Sequence, residues 1–207
     1  MTALREGSEL LAEEVAGPLS MRQREIVRIL RQNSVELQRL IETLLRHGEA
    51  EFRMAAVKRQ PAKPGELIAA VVRRQKLAFA ARHIRVVQQV EDFVMLTDVE
   101  RLRVVLDNLL SNAFKYSPEG GEVTVTARRV DGQAIIEVVD QGPGVATDEC
   151  ERIFEPFCRG SADAHGTVQG TGLGLAISRD HVLAMGGAIS VGEGHGRFTV
   201  TLPLGET

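Results

Sequence analysis

Apolar side chains between Ser20 and Leu45 recur at spacings of three, four and seven residues, with charged and polar residues between them. This spacing predicts one long helix with a single apolar stripe. Ser20 and Gln23 form the Ser-x-x-Gln pattern of a capping box, so the helix is predicted to begin there. The segment 3–14 also favours a helix, and Gly17 and Pro18 separate the two, which predicts an antiparallel helical hairpin. The stripe consists of Ile26, Leu30, Leu37, Leu40, Ile41, Leu44 and Leu45.

The periodicity stops at Gln60–Gly65, a segment with two prolines and a glycine, which predicts a seam between two domains, 1–58 and 59–207. The strongest short signal beyond it is Asp131-Gly132, which predicts a tight turn between two strands. The elements mix without a regular βαβ alternation, so the fold class is predicted to be α+β, a two-layer α/β sandwich with helices on one face of a mixed sheet. Predicted helices cover about 66–81, 99–115 and 173–185, and predicted strands cover about 85–90, 93–96, 122–129, 133–140, 188–191 and 197–202.

Composition narrows the class of protein. The 207 residues are 43% hydrophobic and 26% charged, with a net charge of −3, as in an ordinary soluble globular protein and without the basic face that nucleic-acid binding requires. No apolar run approaches the roughly 20 residues that span a bilayer, and the first residues lack the apolar core of a signal peptide. Cys150 and Cys158 lack metal-ligand spacing, so we expect free thiols in a reduced, cytoplasmic setting and no membrane contact by this segment.

Candidate chemistry begins on the predicted helix 99–115. Asn108, Asn112 and Lys115 fall at i, i+4 and i+7, so they share one face. An ordinary solvated helix face has the same appearance, but amide oxygens also suit Mg²⁺ and a lysine suits phosphate. The opposite face is predicted to be buried and comprises Leu102, Val105, Leu106, Leu109, Leu110 and Ala113.

Asp140 ends a strand of alternating β-branched residues, and Gly142 and Gly144 follow it around a proline. The arrangement fits a simple strand-ending turn. It equally fits a carboxylate that accepts from the exocyclic amine of adenine, with glycines that let the backbone approach the ring.

The third segment is Gly170-Thr171-Gly172-Leu173-Gly174-Leu175, which lacks both the Walker lysine and the dinucleotide fingerprint. It is either a flexible loop or a glycine-rich entry to a helix N-terminus, where free N–H groups favour phosphate. Before it, Phe154–Phe157 and the stretch 160–169, poor in large apolar residues, predict a mobile lid hinged on an aromatic anchor.

In their order, these segments resemble the N, G1, F and G2 boxes of the catalytic ATP-binding domain of sensor histidine kinases, within the wider family of gyrase, heat-shock chaperones and mismatch-repair ATPases. The resemblance covers about 65–203 and implies ATP and Mg²⁺ as cofactors. It implies that Asn112 coordinates Mg²⁺, that Asn108 and Lys115 contact metal or phosphate, and that Asp140 reads adenine. It further implies that Tyr116 lines the nucleotide, that Gly142, Gly144 and the turn 170–175 shape the pocket, and that Arg159 contacts the γ-phosphate. Cys158 stands where these kinases often have tyrosine.

Asn108 separates two activities within that wider family. The ATPases place a glutamate there as a general base, a task that an amide cannot perform, so phosphoryl transfer to a side chain is favoured over hydrolysis. An ATP-hydrolysing protein and a non-catalytic nucleotide-binding dimerisation module stay open as alternatives.

A histidine kinase needs a phosphoacceptor, and none of the five histidines (His47, His83, His165, His181 and His195) has the adjacent acid and Thr-Pro of that motif. The hairpin resembles the second half of a dimerisation and histidine-phosphotransfer domain, and the segment 5–11 resembles GlrK-type sensors. We therefore expect a cytoplasmic fragment that begins just after its acceptor histidine and cannot autophosphorylate. The implied partners are a response regulator receiver domain and a second copy joined through the hairpin, and the implied parent is anchored in the bacterial inner membrane.

Overall fold

A computed structural model describes residues 7, 10–15, 17–30, 33, 56–158, 160–161, 172–192 and 196–205. The chain divides into two compact units, Met1–Ala56 and Val57–Thr207. In the first unit residues 21–30 are helical, and the predicted capping box is confirmed at their start. The Ser20 N–H donates to Gln23 Oε1 at 2.9 Å, and the Gln23 N–H donates to Ser20 Oγ at 3.4 Å. The stripe residues Leu37, Leu40, Ile41, Leu44 and Leu45 lie outside the described residues, so the hairpin stays a prediction.

The second unit contains helices and strands in mixed order, which confirms the predicted α+β class. Its helices are α1 (Pro64–Ala81), α2 (Val99–Tyr116) and α3 (Gly174–Ala184). Its strands are β1 (Gln60–Ala62), β2 (Arg85–Val90), β3 (Met95–Thr97), β4 (Glu122–Val130), β5 (Gln133–Asp140), β6 (Ala188–Gly192) and β7 (Gly196–Pro203). Among the described helices, none is long and apolar enough to cross a bilayer.

Five strands form one mixed sheet in the order β2-β4-β5-β7-β6. Strand β2 is parallel to β4, and the other neighbours are antiparallel. Asp131 and Gly132 join β4 to β5 with positive φ angles of 48° and 78°, the conformation that a type I′ hairpin turn requires. The Asp-Gly prediction is thus confirmed.

Alternation along β5 positions the functional end of the sheet. Ala134, Ile136, Val138 and Asp140 are buried and face one side of the sheet, because every second side chain of a strand points the same way. The apolar face of α2 belongs to the same core, and all six of its residues predicted to be buried are at most 1% exposed. Asp140 is therefore the last residue of a core-facing row, at the point where the sheet ends.

The segment Gln60–Gly65, predicted as a seam without regular structure, forms ordered elements, and the chain divides into its two units just before it, between Ala56 and Val57. Gln60–Ala62 is strand β1, which pairs antiparallel with β3, and Pro64 lies in the first turn of α1. Both strands of a two-stranded ribbon are edge strands, where a proline such as Pro61 is tolerated. Pro64 is tolerated as well, because the N–H groups of a first helical turn have no partner within the helix. The strand predicted at 93–96 is shifted to Met95–Thr97 by the same pairing.

Asp98 holds the start of α2. Its carboxylate accepts from the N–H of Arg101 at 3.2 Å and from the N–H of Lys58 at 3.1 Å, and the Arg101 guanidinium lies 3.4 Å away. Asp98 and Arg101 are only 8% and 4% exposed.

We expect Asp98→Ala to lower the free energy of unfolding in urea by about 3 kcal/mol, because it removes a helix cap and half of a buried ion pair. Asp92→Ala, which breaks an exposed pair with Lys63, is the control, and an equal loss in both variants would contradict the expectation.

Candidate functional site

One cavity of the second unit is bounded by the polar face of α2, the end of β5 and the beginning of α3. The structure brings all three segments that the sequence singled out to this one cavity. The predicted residues that line it are Asn108, Asn112, Lys115, Tyr116, Asp140, Gly144, Gly172, Gly174 and Leu175. Gly142 and Leu173 are described but do not line it, and Arg159, Gly170 and Thr171 lie outside the described residues.

On the α2 wall, Asn108 is held by hydrogen bonds to the beginning of α3. Its Nδ2 donates to the carbonyl oxygen of Gly174 at 3.0 Å and to Ser178 Oγ at 3.2 Å. Asn112 and Lys115 follow on the same face, one and two turns further along the helix. Two amides and one ammonium group therefore face the cavity from a single rigid element.

On the opposite wall, Asp140 is almost fully enclosed. It is 4% exposed, and burial raises the pKa of its carboxyl to about 6, although the N–H of Gly142 donates to Oδ1 at 2.7 Å and opposes the shift. Neither of the two glycines beside this carboxylate has room for a side chain. A Cβ on Gly142 would lie 2.6 Å from Asp140 Oδ1, and a Cβ on Gly196 would overlap the carboxylate.

The glycine-rich turn is fastened to the aromatic segment that precedes it. The N–H of Phe157 donates to the carbonyl oxygen of Gly172 at 2.9 Å, and both residues have positive φ angles, 64° and 71°. A Cβ on Gly172 would lie 2.8 Å from the Phe157 backbone, so this position requires glycine for both conformation and space. Phe154 is buried, as expected of an anchor, whereas residues 162–169 of the lid predicted at 160–169 lie outside the described residues, so the lid stays a prediction.

Several lining residues were missed by the sequence reasoning. Gly196 reaches the site because it pairs with Asp140 across β5 and β7, and Glu149 and Ile153 come from two short 3₁₀ turns at Thr147–Glu149 and Arg152–Phe154. Ser111, Val145, Cys158, Gly160 and Phe198 complete the cavity. The alternating pattern before Asp140 indicates that its strand pairs with another strand, but it does not indicate which residue of that strand lies opposite Asp140.

Cysteine and histidine play little part in the described site. Cys150 and Cys158 are free thiols, as expected, and Cys158 lines the cavity. Of the two described histidines, neither His83 nor His181 lines it, and burial lowers the pKa of His181.

The donor set at the cavity limits which metal could bind. Within the described residues there is no group of three or more His, Cys, Asp or Glu side chains that could hold a metal ion. The amide oxygens of Asn108 and Asn112 on α2 are neutral, so they fit a hard cation such as Mg²⁺ if nucleotide phosphates and water supply most of its ligands.

Residues 97–206 match the family of histidine kinase-, DNA gyrase B- and HSP90-like ATPases, and the matched region contains the whole cavity. The chain belongs to this family, whose domain binds ATP. The relatives that match it over nearly its whole length are sensor histidine kinases. Sensor histidine kinase GlrK of Escherichia coli K12 is 34% identical over 98% of the chain, in agreement with the GlrK-type resemblance of the segment 5–11.

Solved structures agree with this assignment. The structure of full-length ShkA in complex with AMPPNP matches 99% of the chain with a TM-score of 0.68 and 31% identity. Histidine kinase ThkA in complex with the response regulator protein TrrA matches 99% of the chain with a TM-score of 0.65 and 19% identity, which shows a shared fold. The chain spans 43% of the length of GlrK, 43% of the ShkA chain and 57% of the ThkA chain.

Proposed function

We propose that the chain is the catalytic core of a sensor histidine kinase, which binds Mg-ATP and transfers the γ-phosphoryl group to a histidine outside these 207 residues. A response regulator receiver domain would then take the phosphoryl group from that histidine. The observation that carries the proposal is the convergence of Asn108, Asn112 and Lys115 on the same cavity as the buried Asp140. A helix face that was merely solvated would not face an enclosed carboxylate across a cavity.

The proposed roles follow from the chemistry of each group. Asp140 accepts from the adenine amine, and Lys115 supplies positive charge to the phosphates. Asn112 holds Mg²⁺ through its amide oxygen, and Asn108 contributes to the metal or phosphate. When bound, the metal would neutralise charge on the β- and γ-phosphates. Tyr116 lines the nucleotide, the glycines of the turn 170–175 bring backbone N–H groups to the phosphates, and Arg159 contacts the γ-phosphate.

ATP hydrolysis is the alternative activity, and it needs a carboxylate that activates water. Glu149 lines the cavity and is a glutamate, the residue type that serves as the general base in the ATPases. Its oxygens, however, accept from the N–H of Ser161 at 2.9 and 3.0 Å and from the Ser161 hydroxyl at 3.1 Å. An engaged carboxylate and an amide at position 108 both support phosphoryl transfer over hydrolysis.

We also propose the arrangement of the larger protein. The segment 1–58 would be part of a helical hairpin through which two copies dimerise, and 59–207 would be the catalytic domain on the cytoplasmic side of a membrane-anchored sensor. A non-catalytic dimerisation module would show the same hairpin without Mg-dependent ATP binding, so calorimetry with Mg-ATP separates the two.

The proposed function is tested by phosphoryl transfer in trans. The chain is incubated with γ-labelled ATP, Mg²⁺ and a helical-hairpin domain that carries an intact acceptor histidine, and acid-labile label on the hairpin is measured. A hairpin with that histidine replaced by glutamine is the control. Label on the intact hairpin supports the proposal, whereas steady phosphate release without label supports an ATPase.

The pH dependence of binding follows from Asp140. Because its pKa is raised to about 6, the carboxylate that accepts from adenine is present above pH 6 and is lost as the pH falls below it. We expect the affinity for ATP, divided by that for purine riboside triphosphate, which lacks the amine, to fall about tenfold per pH unit below 6. The phosphates of both nucleotides titrate alike and cancel in the ratio. A ratio that is constant from pH 5 to 7.5 would contradict the assigned role of Asp140.

A further inference from the structure

Ser178 lies one turn inside α3 and is fully buried, at 0% exposure. Its hydroxyl donates to the carbonyl oxygen of Gly174 at 2.8 Å and accepts from Asn108 Nδ2 at 3.2 Å. Asn108 Nδ2 donates in addition to Gly174, so both amide hydrogens of Asn108 have acceptors. Three residues thus form a closed network between α2 and the beginning of α3.

The network fixes which way the Asn108 amide points. In the opposite orientation Oδ1 would face the Gly174 carbonyl, acceptor against acceptor, and the serine would have to give up its bond to Gly174. The amide oxygen is therefore left as the hydrogen-bond and metal-binding atom that Asn108 offers to the cavity. Loss of the serine hydroxyl would leave one amide hydrogen without its buried acceptor, which weakens the preference for this orientation of the amide.

The same network joins the two walls that the phosphates would touch. Asn108 shares its helix face with Asn112 and Lys115, and Gly174 begins the helix that follows the glycine-rich turn. A serine that back-bonds to the carbonyl four residues earlier is a common local arrangement in helices. Here that local bond is extended to a second helix, so a shift of Ser178 would move both walls relative to each other.

We propose that Ser178 is a positioning residue, which orients the Asn108 amide oxygen toward the phosphates and Mg²⁺ and couples it to the first turn of α3. The proposal rests on the proposed function, because it assigns Asn108 to the nucleotide. Ser178 itself touches neither the nucleotide nor the metal; it acts through Asn108.

The test measures ATP affinity of the 207-residue chain with Mg²⁺ and again with EDTA. Ser178→Ala is expected to weaken Mg-ATP binding on the order of tenfold and to reduce the gain that Mg²⁺ gives, with a smaller change in EDTA. Ser178→Thr, which keeps the hydroxyl, is expected to stay within about threefold of the original chain. Ser117→Ala is the matched control, since Ser117 is 1% exposed and its hydroxyl has no hydrogen-bond partner among the described residues.

A double-mutant cycle separates positioning from a purely structural effect. In an Asn108→Ala background, Ser178→Ala is expected to cause no further loss of Mg-ATP affinity, because the group it orients is gone. An equal loss in both backgrounds, or a Ser178→Ala chain with affinity within twofold of the original, would overturn the proposal. Absence of Mg-dependent ATP binding in the original chain would instead overturn the proposed function, and the inference with it.

Discussion

Asp140→Asn is expected to weaken ATP binding about 100-fold at pH 7.5 and, at the same pH, to make the protein more stable. A carboxylate offers acceptors at both oxygens, and Oδ1 already receives the Gly142 N–H, so the other oxygen is the one available to adenine. An asparagine has one acceptor and one donor group, so either the Gly142 N–H or the adenine amine would face another donor. The loss of a hydrogen bond to a charged group accounts for the 100-fold estimate.

The gain in stability follows from the direction of the pKa shift. Because the folded pKa of Asp140 is raised to about 6, folding becomes less favourable as the pH rises from about 4 to 6, and the penalty then stays constant. Removal of this charge is expected to raise the free energy of unfolding by up to about 3 kcal/mol at pH 7.5 and to leave it nearly unchanged near pH 4.

Urea denaturation at the two pH values, together with nucleotide titration, measures both effects. Asp131→Asn is the matched control, since that residue is exposed and lies in a type I′ turn that accepts asparagine equally well. An Asp140→Asn chain that binds ATP normally would exclude Asp140 as the adenine acceptor.

Asn112→Ala is expected to lower phosphoryl transfer to the hairpin histidine by at least about 100-fold, because it removes the proposed protein ligand of Mg²⁺. The half-exposed amide contributes little to packing, so the melting temperature without nucleotide should change by no more than a few degrees.

The diagnostic measurement is the difference between ATP affinities with Mg²⁺ and with EDTA, which should disappear in Asn112→Ala. Asn112→Asp supplies the comparison, since it keeps an oxygen ligand while placing a negative charge near the phosphates. It should retain metal dependence with weaker ATP binding. Full activity in Asn112→Ala would show that the metal is held elsewhere.

Local signals in the sequence were sufficient for most of the second unit. The boundaries of α2 were predicted to within one residue, because its apolar positions repeat over five turns. Strand β5 was predicted with its observed bounds, since the Asp131-Gly132 turn and the alternation of β-branched residues indicate the same limits. The short strands β1 and β3 were misread because three-residue segments carry no measurable period.

The residues that sequence reasoning missed share a different property. Distant segments bring two of them to the site: Gly196 pairs with Asp140, and Ser178 packs against Asn108, each more than 30 positions away along the chain. The third, Glu149, reaches the cavity from a short irregular turn. Their own neighbourhoods in the sequence look like a strand start, a surface turn and a helix interior. Nothing local distinguishes a buried serine that orients an asparagine from one that fills space.

The position of Asp140 depends on two strand registers at once, since it stands opposite Val123 of β4 and opposite Gly196 of β7. A slip of one residue in β5 would keep many ladder hydrogen bonds and yet turn Asp140 to the sheet face away from the helices. Misregistered chains would therefore not bind adenine, and binding to an immobilised nucleotide would separate correctly folded molecules from compact misfolded ones. By mass action, ATP present during refolding should raise the yield of the native register.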